Sequence, residues 1–230
     1  MRLVYTSALA VAVALLVPVA PGAQQMQMDA NRKVEGGGIS VAGWHGMVDP
    51  ADKKKGETIN NSKLAAMGSD LHLTVGPASV YWNPANTAMG NYTVKASFHE
   101  PKQMNDHAHP YGLFIGGKNL DTATQSYMYC SVYGNGTFIV RGFSGETVVR
   151  YSAPRGTKHE AIHTFGADGS VMQEIAFRVT ASQVECLANG AVIATFPKAD
   201  VVGAGKLEST DGIYGIRAGH NTDVMVRGLT

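Results

Sequence analysis

Two imidazoles stand two residues apart in Asp106-His107-Ala108-His109. On an extended backbone alternate side chains share a face, so this pair can hold one metal ion if a third ligand joins it. No third ligand is evident in the neighbouring sequence, and Pro110 marks the segment as a loop, so a solvated polar loop accounts for the same pattern. His159 and His163 are four apart, a spacing that matters on a helix, and no helical period surrounds them. His220-Asn221 reads as a turn, which Asn favours locally. Gly142-Phe143-Ser144-Gly145 lacks the spacing of a serine nucleophile elbow. Gly203-Ala204-Gly205 lacks the third glycine of a dinucleotide fingerprint and follows no βα unit. Both read as turns, and no catalytic residue is assigned from these strings.

The two cysteines, Cys130 and Cys186, fall in β-type runs, and their parity turns both inward. Two readings stay open. They are buried free thiols, since Cys is a common core residue, or they form a disulfide. A bridge requires Cα atoms within about 7 Å and would contribute roughly 4 kcal/mol through loop closure. In Tyr127-Met128-Tyr129-Cys130-Ser131-Val132-Tyr133 the alternation is strict. Tyr127, Tyr129, Ser131 and Tyr133 share one face, and Met128, Cys130 and Val132 the other. The apolar face is expected to pack between sheets and the tyrosine face to look outward, joined by Arg141 across the Gly134-Asn135-Gly136 hairpin. Rings flanked by hydrogen-bonding groups suit sugars, whose C–H faces stack on aromatics while hydroxyls need polar partners. Tyr127, Tyr129, Tyr133 and Arg141 are therefore the candidate ligand-binding residues. Cross-strand pairing on a half-exposed sheet is the plainer alternative. Trp44 and Trp82 read as core or loop anchors.

The elements that must position these residues are short and β-type. Runs at Leu71–Val75, Asn91–Phe98, Tyr111–Ile115, Ser126–Tyr133, Thr137–Phe143, Ile175–Thr180, Gln183–Ala188, Ala191–Phe196, Gly212–Arg217 and Asp223–Arg227 are separated by turn residues. Asn135-Gly136 and Asn189-Gly190 are tight-hairpin signals, because a type I′ turn needs positive φ. Asn60–Met67 and Lys198–Val202 are each expected to make a helical turn or two. Many strands without intervening helices predict an all-β, two-sheet antiparallel sandwich of jelly-roll type. Residues 24–38 are polar, end in three glycines and read as a flexible lead-in. Residues 39–230 read as one domain.

A family resemblance attaches to the order Gly43-Trp44…Asp49, Gly76-Pro77, Gly90-Asn91-Tyr92-Thr93-Val94, Tyr111-Gly112-Leu113-Phe114-Ile115-Gly116-Gly117, Tyr127-Met128-Tyr129, Val184…Asn189-Gly190 and Gly215-Ile216-Arg217. It resembles the concanavalin A-like, laminin G-like jelly-roll superfamily. Its nearest likeness is to secreted bacterial domains related to the 3-keto-disaccharide hydrolase family. The resemblance implies the fold more than an activity, since the superfamily includes lectins, carbohydrate-binding modules, glycosidases and protein-interaction modules. The glucanase branch carries a Glu-x-Asp-x-(x)-Glu strand, and no such string exists here; Glu174 and Glu185 have no acidic residue two or four positions away. Calcium, common in the superfamily, needs six to eight oxygens. Asn119, Asp121 and Asp211 are loop candidates that fall short of a ligand set, so no cofactor is assigned.

Composition and charge narrow the classes. Arg2 is the only charge in the first 23 residues, which leaves 18 basic against 18 acidic residues beyond them. Such a balance is not built to grip nucleic acid by bulk charge. Residues 1–23 carry Arg2, then an apolar run from Leu3 to Val19 closed by Pro18, Pro21 and small alanines, the pattern of a cleaved secretory signal. The expected location is secreted or periplasmic, with no membrane attachment after cleavage. The leading expectation is an exported, non-catalytic module binding carbohydrate or a related surface glycan. A glycoside or keto-sugar hydrolase-like enzyme is the first alternative, with His109, Asp121, Glu174 and His220 as loop positions to inspect. A laminin G-like module recognising a protein is the second.

Overall fold

The computed structural model describes residues 29–230; the expected signal segment 1–23 and the start of the lead-in lie outside them. Asn31–Thr230 forms a compact unit. Its strands are β1 (Gly38–Ile39), β2 (His45–Val48), β3 (Lys63–Met67), β4 (Asp70–Thr74), β5 (Ser79–Ala88), β6 (Tyr92–Glu100), β7 (Tyr111–Lys118) and β8 (Ser126–Tyr133). They continue with β9 (Thr137–Ser144), β10 (Thr147–Arg150), β11 (Thr157–Lys158), β12 (Val171–Val179), β13 (Gln183–Ala188), β14 (Ala191–Pro197), β15 (Gly212–Ala218) and β16 (Asp223–Arg227). Two one-turn helices, α1 (Pro50–Lys53) and α2 (Lys198–Val201), and a 3-10 turn at Ile59–Asn61 complete the described elements.

The first sheet runs β1-β3-β4-β16-β6-β12-β13-β14 and the second β10-β9-β8-β7-β15-β5-β2, with β11 paired to β9. The pairs are antiparallel except β1 with β3. The expected two-sheet jelly-roll sandwich is the observed fold. Between the sheets lies one core that includes Leu64, Leu73, Phe98, Tyr111, Leu113, Met128, Ile175, Phe177, Val184 and Val224. Alternation supplies it: each strand turns every second side chain inward. Cys130 in β8 and Cys186 in β13 are bonded as a disulfide with Cα atoms 6.2 Å apart, so one covalent link ties the two sheets through the core.

Two local expectations differ from the structure, and one strand had no sequence signal. Asn60–Met67 is strand from Lys63 onward rather than helical; Leu64 is fully buried against the other core side chains while Lys63 faces out, which is a period of two. Ten-residue β5 was not legible, because Asn83-Pro84 interrupts it. Its ladder with β15 slips between the Trp82–Gly215 and Thr87–Ile213 pairs, and the proline, which has no N–H to give, sits in that irregular stretch. The lead-in is held at Arg32, whose N–H donates to Asn221 Oδ1 and whose Nη2 pairs with Asp223 at 3.0 Å. The second hairpin signal is used fully: Asn189 takes φ 50°, its Oδ1 accepts from Glu174 N–H, and its Nδ2 donates to Ala161 O and Gln173 Oε1. Among the described residues no helix is long and apolar enough to cross a membrane.

Candidate functional site

Sheet register decides which side chains meet on the outer face of the second sheet. Tyr129 stands opposite Phe114 of β7 and Arg141 of β9, and Tyr127 opposite Phe143. Across β15 and β5 the same face continues through Arg217, Val80 and Trp82. The result is a second apolar cluster of Val80, Trp82, Phe114, Leu120, Tyr127, Tyr129, Ile139 and Phe143, drawn from this one sheet except for Leu120. Tyr127 is its hub, with ring centroids 5.3 Å from Phe143 and 5.4 Å from Phe114, distances at which aromatic pairs attract. Gly215 makes room for this packing, since a Cβ there would stand 2.7 Å from the Phe114 ring.

The structure brings the four candidate residues onto one face and corrects their exposure. Tyr127 and Tyr129 are buried, at 1% and 4%, rather than open to solvent; Tyr133 and Arg141 are partly exposed. Part of the reason is a strap after β2. Asp49 forms a two-pronged pair with Arg217 of β15, and five residues later Lys54 reaches Glu146 in the β9–β10 turn at 2.7 Å. Strands β7 and β8 lie between those two anchor points, so the segment carrying α1 bridges the aromatic face.

Beneath the strap, the Arg217 guanidinium stands 4.8 Å from the centre of the Tyr129 ring, within cation–π range. Burial pushes the Tyr129 hydroxyl up, and the Arg217 charge opposes that. Burial is the largest influence on Arg217 and works against its charge, but the charges of Asp49, Tyr127 and Tyr129 and the hydrogen bond to Asp49 together hold the guanidinium well above its ordinary value. Arg217 is thus a fixed cation, held by Asp49 in a nearly dry site. The sequence reading missed both as site residues. Their signal was present, because Gly43-Trp44…Asp49 and Gly215-Ile216-Arg217 belong to the motif string that carries the family resemblance.

A second constellation forms at one end of the sandwich. Pro110 O accepts from Gly219 N–H at 2.7 Å and from the Thr222 hydroxyl at 3.4 Å. That clasp joins the β6–β7 loop, which carries His107 and His109, to the β15–β16 turn, which carries His220. The His107 and His109 ring centroids are 4.6 Å apart, and those of His109 and His220 are 4.8 Å apart. His109 is buried, His220 half-buried and His107 exposed. His220 packs edge-on against His109, a neighbour that the local sequence around His107 and His109 did not reveal. Glu100 at the end of β6 is fully buried nearby in the chain, and burial first, then the Asp223 charge, push its carboxyl up to about 8 against the Tyr111 hydroxyl.

The remaining positions do not converge on either place. Glu174 pairs with Lys95 on the outer face of the first sheet, and Asp121 is exposed in the β7–β8 loop. Asp211 Oδ1 accepts from Gly90 N–H. His159 and His163 line an open cavity of about 710 Å³ beside Asn135 and Lys158, and His163 Nδ1 is 2.9 Å from Met172 O.

Comparison with protein-family models and with curated proteins gives no match. Solved structures do match. A carbohydrate binding module from Bacillus subtilis superposes with TM-score 0.56 at 7% identity, over 84% of this chain and 96% of that one. The laminarinase catalytic domain from Thermotoga maritima MSB8 gives 0.50 at 10%, over 86% and 96%. An endo-β-1,3-glucanase from Pyrococcus furiosus gives 0.50 at 11%, over 84% and 88%. The chain has the fold these proteins share. The narrower likeness to 3-keto-disaccharide hydrolase relatives rests on the sequence motifs alone.

Proposed function

We propose that this protein is an exported, non-catalytic carbohydrate-binding module, and that the sugar is taken on the aromatic face of the second sheet. The observation that carries the reading is Arg217, paired to Asp49 and set over the Tyr129 ring, next to the partly exposed Tyr133 and Arg141. The partly exposed Tyr133 ring gives a pyranose a stacking surface and the Arg141 guanidinium gives its hydroxyls a charged partner, while the buried Arg217–Asp49 pair fixes the face beneath them. The similar fold of a carbohydrate binding module and of two glucan-hydrolysing domains supports the ligand class.

Binding is favoured over hydrolysis by the charge inventory. A retaining glycosidase needs two carboxyl groups about 5–5.5 Å apart. Among the described residues, Asp49 is the carboxylate whose charge acts on Tyr127 and Tyr129, and its two oxygens are engaged by Arg217.

A polysaccharide and oligosaccharide array, read with and without EDTA, tests the reading. A saturable hit is expected, and Arg141→Ala or Tyr133→Ala should weaken it by about tenfold or more, the scale of one lost stacking or charged contact. No reducing sugar should be released from the bound glycan. A blank array with folded protein, or full binding by both variants, would remove this face from consideration. Loss of binding in EDTA would instead point to the oxygen-rich loops at Asn119, Asp121 and Asp211.

A further inference from the structure

Granting the carbohydrate reading, on which this rests, we propose that the ligand of the second sheet's outer face is an acidic polysaccharide, one bearing carboxylate or sulfate groups, bound by Arg141 and Arg150. Sheet register sets the two arginines side by side. Arg150 of β10 stands directly opposite Arg141 of β9, and Arg141 directly opposite Tyr129 of β8. Directly opposite residues share a face, with Cα atoms about 5 Å apart. Like charges in that position repel each other and destabilise the sheet. A bound anion turns the same arrangement to use, because guanidinium groups grip oxyanions through paired N–H donors.

The carboxylates bordering this face are engaged elsewhere: Asp49 is held by Arg217 and Glu146 by Lys54. Arg141 Nη2 donates to the neutral Pro154 carbonyl at 2.6 Å, and its Nε has no hydrogen-bond partner among the described residues. That contact fixes the guanidinium without cancelling its charge. Arg155, exposed, follows Pro154 in the β10–β11 loop and brings a third guanidinium to that segment. Burial pushes the Tyr133 hydroxyl up and the Arg141 charge opposes it, so the cation stands close to the partly exposed ring. Arg150 is exposed, and β10 is the edge strand of its sheet. The arginine pair therefore stands at an open rim, which admits an extended chain. The positive charge is local, since the sequence beyond residue 23 is balanced.

The test uses the purified chain and matched polymers: polygalacturonate against its fully methyl-esterified, uncharged form, and dextran sulfate against dextran. Calorimetry at low salt is expected to show the acidic member of at least one pair binding about tenfold tighter or more than its neutral partner, the scale of one charge-assisted hydrogen bond. The two pairs tell a carboxylate ligand from a sulfate one. Binding should weaken as NaCl is raised, because the contacts are open to screening. Arg150→Gln should lose about tenfold in affinity for the acidic polymer and melt no lower than the wild type, since it relieves a like-charge contact. Arg178→Gln, the same change of net charge on the outer face of the first sheet, should bind as the wild type. Equal affinity for charged and uncharged polymers overturns the acidic ligand and leaves the carbohydrate reading standing, as does a hit on neutral glycans with none on either acidic polymer. A blank across acidic and neutral glycans alike removes both. Undiminished binding by Arg150→Gln, an equal loss in Arg178→Gln, or tighter binding to anionic phospholipid vesicles or single-stranded DNA than to either acidic polymer would also overturn the proposal.

Discussion

The outer faces of the two sheets obey different rules. On the first sheet, outward positions carry Lys95 against Glu174, Arg178 against Glu185 and Arg227 against Asp70, with Met172 left 58% exposed. That is the usual alternation of an antiparallel sheet, apolar inward and solvated outward. On the second sheet most outward positions are aromatic or aliphatic and nearly dry, and the Arg217 charge among them is paired with Asp49 of the strap. One side of the molecule therefore carries solvated charge, while the other holds desolvated charge, which folding alone does not require.

Removing charge should separate the two faces most clearly. Asp49→Ala leaves the Arg217 guanidinium buried without its partner and is expected to cost about 3–5 kcal/mol in urea unfolding. A loss under about 1 kcal/mol would mean that the strap is dispensable and that the second face resembles the first. Next in size is the link between the sheets. Cys130→Ala with Cys186→Ala opens the disulfide and should lower stability by about 2–4 kcal/mol; equal midpoints in oxidised wild type and double mutant would contradict this.

A smaller effect is a matter of pH. Glu100, with its carboxyl at about 8 against an ordinary 4.5, holds its proton more tightly folded than unfolded. Its contribution is thus fully present below the lower value and is lost as pH rises toward the upper one. Glu100→Gln should flatten the fall in stability across that window, and an unaltered pH profile would refute the assignment. The smallest change belongs to the first face. Lys95→Ala should shift unfolding by no more than about 1 kcal/mol, because its pair with Glu174 is exposed and salt-screened. A larger loss there would erase the contrast.

Much of the fold was readable where alternation and turn chemistry agreed. Strand β8 was bounded correctly at Ser126 and Tyr133, because the Asn-Gly turn and the tyrosine period fall in step. Strand β5 was not, because its bulge breaks the period around Pro84. The site was half legible. Tyr129 and Arg141 share a hairpin, so spacing alone places them together. Asp49 and Arg217 meet only through the stacking of β2, β5 and β15, and His220 reaches His109 only through the clasp on Pro110. Long-range juxtaposition leaves no mark on local spacing.

The hydrogen bonds of Asn189 give the protein a chemical clock. An asparagine followed by glycine cyclises readily, since the Gly190 nitrogen meets little steric hindrance in attacking the side-chain amide. Ammonia leaves, water opens the ring, and a carboxylate or an isoaspartyl linkage remains. Here the departing nitrogen is the atom that donates to Ala161 O and Gln173 Oε1. Its replacement by an anionic oxygen would set negative charge against two acceptors, so material aged at this position would loosen at the β13–β14 hairpin.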